Sequence, residues 1–420
     1  MKQGRRLLLG LLLLLVLGCG LALSTPAREQ SVNILMPASF ADASAPLVDR
    51  FNSSHQGRIR LEITKGPLQT ESISDLAISS LLLGNSPYDA LLMDVTWLPK
   101  YAEAGWLEPL EGWFDEAQQE VLQEGARLGN SYDGHLYRWP LVADVGLLYW
   151  RTDLMTEPPK TPDDLIQISR QLQESGVVNE GFVWQGRQYE GLSCDFLEVI
   201  NGFGGTWLDP ATGRPDLTSP AAKAAASWLE SLIETGISPK AVTNYAESES
   251  LQSFKAGDAA FMRNWPYAYA ELQKDDSSVR GNVAVTTMVS EPGLTPRATL
   301  GSWGLSLMKG SAHKESAVEA IRYLTSEEAQ RERFKHQGYT PTLSSLFHDQ
   351  EMVRISPVLP DIDRALAVAT VRPPTPLYAQ LSDVLQRRLS SIFTGQQSVD
   401  DGMAEAQSAS EVILLSAGGA

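Results

Sequence analysis

Hydrophobic and polar positions alternate with two different periods along this chain. Ser31 to Met36 (SVNILM) and Arg58 to Thr64 (RIRLEIT) read as strands, the second with apolar residues at every other place. Between them Ala45 to Phe51 suits a helix, and Glu71 to Leu83 is amphipathic with helical spacing, ended by Gly84-Asn85. Tyr88 to Met93 (YDALLM) is a short buried strand that ends at Asp94. Strands alternating with helices predict an α/β layered domain with a largely parallel sheet. In such sheets ligands sit beyond the carboxyl ends of strands, which is where Asp94 falls.

The same reading extends to the C-terminus. Trp139 to Trp150 (WPLVADVGLLYW) is an apolar run carrying one acid, Asp144. Thr161-Pro162 and Ser219-Pro220 each open a helix, with the hydroxyl residue as N-cap and proline at the first helical position. The second runs from Ala221 to Glu234, and its Ala225, Trp228, Leu229, Leu232 and Ile233 form one stripe. Val283 to Met288 and Ser302 to Met308 are predicted strands. Ser316 to Leu324, Tyr378 to about Phe393 and about Val399 to Leu415 are predicted helices.

The first residues follow neither period. Lys2, Arg5 and Arg6 precede an apolar run from Leu7 to Leu17, and Val16-Leu17-Gly18-Cys19 follows. This is the pattern of an export signal. Val-Leu-Gly-Cys resembles the bacterial lipobox, which implies lipidation of Cys19, a signal peptide over 1–18 and a tether over 19–30. Conventional cleavage near Ala27, or retention of an uncleaved anchor, stays open. The expected location is therefore the periplasm or the outer face of the cytoplasmic membrane, held by an N-terminal lipid.

Composition narrows the function. A chain of 420 residues with 43% hydrophobic positions is long enough for two or three cores. Acids outnumber bases 51 to 34, giving a formal charge of -17, so a nucleic-acid partner is not expected. Cys19 and Cys194 form no CxxC, and the five histidines form no close metal pair. No metal or other cofactor is expected. With Cys19 lipidated, Cys194 reads as a small buried hydrophobe.

Five segments in order resemble the extracellular solute-binding proteins of sugar ABC importers. They are Tyr101 to Leu110 (YAEAGWLEPL), His135 to Leu154 (HLYRWPLVADVGLLYWRTDL), Phe254 to Trp265 (FKAGDAAFMRNW), Gly301-Ser302-Trp303-Gly304, and Arg372 to Leu381 (RPPTPLYAQL). The last is similar to the C-terminal motif of the trehalose/maltose-binding branch. The resemblance spans nearly all of 31–416. It implies a two-lobe periplasmic-binding-protein fold of the maltose-binding type, with hinge crossovers and a ligand cleft. By that analogy 31–143 and 282–330 form lobe 1, and 144–281 and 331–416 form lobe 2. The chain would leave lobe 1 near Ala143, return near Gly281 and cross again near Arg331. The implied protein is monomeric, is no enzyme, binds a small carbohydrate and delivers it to the transmembrane subunits of a permease. The ligand class is a disaccharide of the trehalose, maltose or sucrose size, or a glucoside such as glucosylglycerol.

A sugar site needs carboxylates for hydroxyls and flat aromatics for C–H faces. Asp94 either binds a hydroxyl or caps the following helix. Asp144, alone in an apolar run, faces either the cleft or a buried partner, since an unpaired acid there is costly. Trp265 and Tyr267 match sugar-stacking positions of the branch, whereas Tyr269 reads as packing. Trp303 between glycines is a further stacking candidate, with Gly301 alongside. Arg372 matches the branch arginine, with a surface ion pair as the alternative. Trp97 is a rim candidate, Trp207 is either core or site, and Asp42 is the acid nearest the first strand-to-helix turn. Two other readings remain: a sugar-sensing or adhesive surface lipoprotein, and an exported glycoside hydrolase using two of these acids. No GxSxG, HExxH, P-loop or CxxC supports an enzyme.

Overall fold

The computed structural model describes residues 29–67, 70–84 and 86–418. The export signal and Cys19 lie outside them. No helix of the described residues is long and apolar enough to cross a membrane.

Most strands of the described residues sort into two large sheets, one per lobe, beside two short two-stranded ones. The elements that build them are β1 (Gln30–Pro37), α1 (Ala38–Ser54), β2 (Ile59–Gly66), α2 (Thr70–Leu82), β3 (Ala90–Asp94), β4 (Trp139–Val142), β5 (Leu147–Arg151) and α3 (Pro162–Glu174). They continue with β6 (Glu180–Val183), α4 (Glu190–Gly202), α5 (Pro220–Glu234), α6 (Glu247–Ala256), β7 (Ala259–Asn264), β8 (Val283–Thr286) and β9 (Trp303–Leu307). The last four are α7 (Lys314–Leu324), α8 (Glu327–Gln337), α9 (Tyr378–Phe393) and α10 (Val399–Gly418). Sheet one runs β2-β1-β3-β9-β4 and sheet two runs β8-β5-β7-β6. β1 is parallel to both β2 and β3, while β9 enters antiparallel.

Burial explains the near-continuous apolar runs. Val32, Ile34 and Met36 of β1 pack into one cluster with Phe51, Leu92 and Leu305. Leu35, between them in sequence, packs into another with Ile73, Met93 and Tyr101. Helices cover both faces of the sheet, so both sets of alternating positions must be apolar. The second lobe is built the same way, with Phe182, Trp184, Phe196 and Leu229 in one core and Tyr149, Phe254 and Met262 in another.

Most element positions follow the sequence reading, and Thr161 caps α3 by accepting from the Asp164 backbone N–H at 3.1 Å. The first helix differs. It starts at Ala38, not Ala45, and carries Pro46 inside it. Proline frees the carbonyl four residues earlier, here that of exposed Asp42, which water can reach.

Two expected crossovers also move. β8 pairs with β5, so residues 283–286 belong to the second sheet and not to lobe 1. The return to sheet one comes later, where Leu300 bridges Val145 and Trp303 enters β9. α8 still packs on α1 and α7, so the third crossing is not at Arg331. It follows α8, where the Thr340 carbonyl accepts from the Ala143 N–H. The next segment buries Leu346, Phe347 and Met352 with the second-lobe strands.

Candidate functional site

Three connecting segments meet between the lobes, and Asp144 lies at the junction. Its carbonyl accepts from the Gly301 N–H at 2.8 Å. Its Oδ1 accepts from the Thr340 hydroxyl at 3.1 Å. One residue therefore touches all three crossovers. The side chain is buried, and burial pushes its carboxyl up to about 7 against the opposing Thr340 donors. Among the described residues it has no ion pair. Burial raises the phenols of Tyr149, Tyr267 and Tyr339 above their ordinary range, and the Asp144 charge adds to that rise.

A second cluster links the lobes. Arg372 donates through Nη2 to Asp94 Oδ1 and Oδ2 at 3.0 and 3.2 Å, and through Nη1 to Glu190 Oε1 at 2.7 Å. Asp94 ends a strand of sheet one, whereas Glu190 opens α4 of the second lobe. Asp94 also accepts from the Thr96 N–H and hydroxyl at 2.9 and 2.7 Å, so it caps the turn after β3 as well. Glu190 accepts further from the Tyr378 hydroxyl and from Ser382 at 2.8 Å. Burial raises the Glu190 carboxyl, and the Arg372 charge only partly offsets this. The surface ion pair considered for Arg372 is thus a buried one.

The aromatic candidates form two groups. In lobe 1, Trp303 is edge-on to Trp97 with centroids 5.5 Å apart and lies 5.5 Å from Phe40. Phe40 stacks on Tyr339 at 4.8 Å. Trp265 directly follows β7 and packs against Gly301. A Cβ at Gly301 would stand 2.6 Å from an atom of the Trp265 ring, so only glycine fits there without displacing it. Tyr267 opens a short helix after Pro266, and its backbone lies against Gly338. Tyr269 lies in the same helix and is buried.

Two candidates lie elsewhere. Trp207 is 1% exposed and packs on Tyr378 in the second-lobe core, which corrects its reading as a site residue. Asp42 sits in the second turn of α1 because that helix starts early. It is exposed and pairs with Lys65, away from the strand-to-helix turn.

Several residues at the junction escaped the sequence reading. Phe40, Tyr339 and Thr340 carry no signal of their own. Glu190 and Glu247 are ordinary first-turn acids. Arg263 was detectable: a charge within AAFMRN needs partners, by the argument applied to Asp144. It pairs with Asp195 at 2.9 Å and Glu198 at 3.1 Å.

A family model described as "Bacterial extracellular solute-binding protein" matches residues 37–331. The chain belongs to this family. Among curated relatives of this solute-binding protein is one of Deinococcus radiodurans named "Probable ABC transporter-binding protein". It is 34% identical over 338 residues, covering 77% of this chain and 80% of the relative. The "Maltotriose-binding protein" of Pyrococcus abyssi is 25% identical over 321 residues, covering 76% and 68% respectively. A solved structure described as "Maltose bound T. maritima MalE3" superposes with a TM-score of 0.85 at 29% identity, covering 92% of this chain and 100% of that one. The two-lobe architecture is thus that of maltose-binding-type proteins.

Proposed function

We propose that this protein is the binding subunit of a bacterial ABC importer that takes a small oligosaccharide or glucoside into the cleft between its lobes. The observation that carries this reading is the placement of aromatic rings about the junction, Trp303 against Phe40 and Trp265 against Gly301, whose N–H donates to the carbonyl of buried Asp144. Rings offer faces to sugar C–H groups, and a carboxylate accepts hydroxyl protons. The likeness to a maltose-bound structure and to a maltotriose-binding relative supports a glucosyl ligand. Neighbours at 21% and 20% identity, described in complex with ribitol and bound D-mannitol, extend the test panel to polyols.

Binding without chemistry fits the acids present. Asp94 and Glu190 both serve Arg372, which leaves neither free as a general acid or nucleophile. Export, lipidation at Cys19, and delivery to transmembrane permease subunits by a monomer complete the proposal. A hinge of three connections allows the lobes to close on ligand, and closure is the state a permease would read.

The test is tryptophan fluorescence of residues 25–420 titrated with maltose, maltotriose, trehalose, sucrose, glucosylglycerol, glucose, ribitol and mannitol. A saturable shift with one glucoside establishes the binder and its ligand class. No response to any of them, with the fold verified by circular dichroism, overturns the carbohydrate assignment.

A further inference from the structure

Trp265 is only partly buried, yet each of its polar groups is held. Its backbone N–H donates to Asn264 Oδ1 at 2.8 Å, and its carbonyl accepts from the Tyr149 hydroxyl at 2.7 Å. The indole N–H donates to Glu247 Oε1 at 3.1 Å. The Arg263 guanidinium lies 4.0 Å from the ring centre.

The residues doing the holding are themselves fixed. Arg263 is 1% exposed and is gripped by Asp195, Glu198 and Gln185, the last at 3.2 Å. Glu247 opens α6, its carbonyl accepting from Asn264 Nδ2 at 3.1 Å. An indole free of these contacts would sample several rotamers. Guanidinium stacking covers part of the ring and Gly301 packs on its six-membered end, while the remainder of the side chain stays partly exposed, where a ligand can reach it.

We propose that Glu247 and Arg263 are positioning residues that lock the Trp265 indole in one orientation, ready to receive the C–H face of a sugar ring. This rests on the carbohydrate-binding reading above. Neither residue need touch the ligand. Each removes rotamer freedom from Trp265 before binding, so that less is lost when the sugar arrives.

The test is a double-mutant cycle on the full soluble domain with maltose as the probe, read by calorimetry and by near-ultraviolet circular dichroism without ligand. Glu247→Ala should weaken maltose binding about tenfold when Trp265 is present and have no effect in the Trp265→Ala background, because the two act as one unit. It should also lower the indole dichroism of the free protein without lowering its melting temperature. Glu247→Gln, whose amide oxygen still accepts the indole N–H, should restore most of both signals. Arg263→Lys, which keeps the charge but loses the flat fork, should fall between. Loss of affinity in Glu247→Ala with the indole dichroism unchanged would overturn positioning, since Glu247 would then bind the sugar directly. Additive effects of Glu247→Ala and Trp265→Ala would overturn it too. If the wild type ignores maltose, the carbohydrate reading is what fails, and the dichroism of the free variants still decides the positioning role.

Discussion

Arg372 and Asp94, two residues that read separately as sugar ligands, are hydrogen-bonded to each other across 3.0 and 3.2 Å with both side chains almost wholly buried. The same guanidinium holds Glu190 of the second lobe at 2.7 Å. Among the described residues its buried Nε has no hydrogen-bond partner. Two carboxylates drawn from opposite lobes thus share one cation. Desolvation opposes the guanidinium charge, and Asp94 overcomes it, holding Arg372 protonated well above the usual range.

Removing that cation leaves two buried acids facing each other. Arg372→Ala should therefore cost about 3–5 kcal/mol of unfolding free energy, the range for breaking a buried ion pair by deleting one partner. Arg372→Lys should recover only part of this, since one ammonium cannot reproduce the fork to both lobes. Denaturant unfolding checks both. A loss under 1 kcal/mol for Arg372→Ala would show that the bridge is not a structural tie.

The ring locked between Glu247, Arg263 and Gly301 behaves differently from a core ring. Trp265→Ala should weaken ligand binding by more than tenfold, with the stability of the free protein little changed, because the indole is partly exposed. Phe254 is fully buried among Tyr149 and its neighbours. Phe254→Ala should instead lose about 3–5 kcal/mol of stability. Thermal melting and calorimetric titration of the two variants separate binding from packing. A Trp265→Ala variant that binds as the wild type does would remove that residue from the site.

The α/β layering was legible because the central strands are covered on both faces, which writes burial directly into apolar runs such as ALLMD and AAFMRN, whereas the two-lobe arrangement came from the family resemblance. Caps at Thr161 and Ser219 were legible because capping is local chemistry. Which strand joins which sheet was not. β8 looks like any short strand, and only its pairing with Tyr149 and Trp150 assigns it to the second lobe. Site residues divide along the same line. Asp144 and Arg372 stood out as charges in apolar or proline-rich surroundings. Trp207 was ambiguous because core and stacking tryptophans have one sequence signature, and Phe40 and Tyr339 join the site only through a contact between distant segments.

Gly301 gives a sharper steric test. Its Cα lies so close to Trp265 that an added methyl would approach three ring atoms to between 2.6 and 3.1 Å. Gly301→Ala should turn the indole aside, weakening binding about as much as Trp265→Ala does, while the crossover backbone bond to Asp144 survives. A red-shifted tryptophan emission in the free variant would report the displaced ring. Wild-type affinity together with unchanged emission would mean that the ring and glycine are not packed as described.

Asp144 makes stability depend on pH in a direction opposite to that of most surface acids. Burial pushes it up to about 7 from an ordinary 3.8. Below about pH 4 the group is protonated in folded and unfolded chains alike. Between about pH 4 and 7 the unfolded chain gives up this proton while the folded one keeps it, so rising pH favours unfolding. Above about 7 the loss is complete, at no more than about 4 kcal/mol by the conversion of one pKa unit to 1.36 kcal/mol. Asp144→Asn carries no such proton. The stability difference between variant and wild type should therefore move in favour of the variant from pH 4 to 7 and then level off. If a sugar hydroxyl donates to the ionised carboxylate, ligand binding near pH 6.5 should also release a fraction of a proton. Titration calorimetry in buffers of different ionisation enthalpy measures that release, and Asp144→Asn should abolish it. Identical pH profiles for the two proteins would mean that Asp144 titrates as an exposed acid does, and would remove it from the list of carboxylates that a ligand must deprotonate.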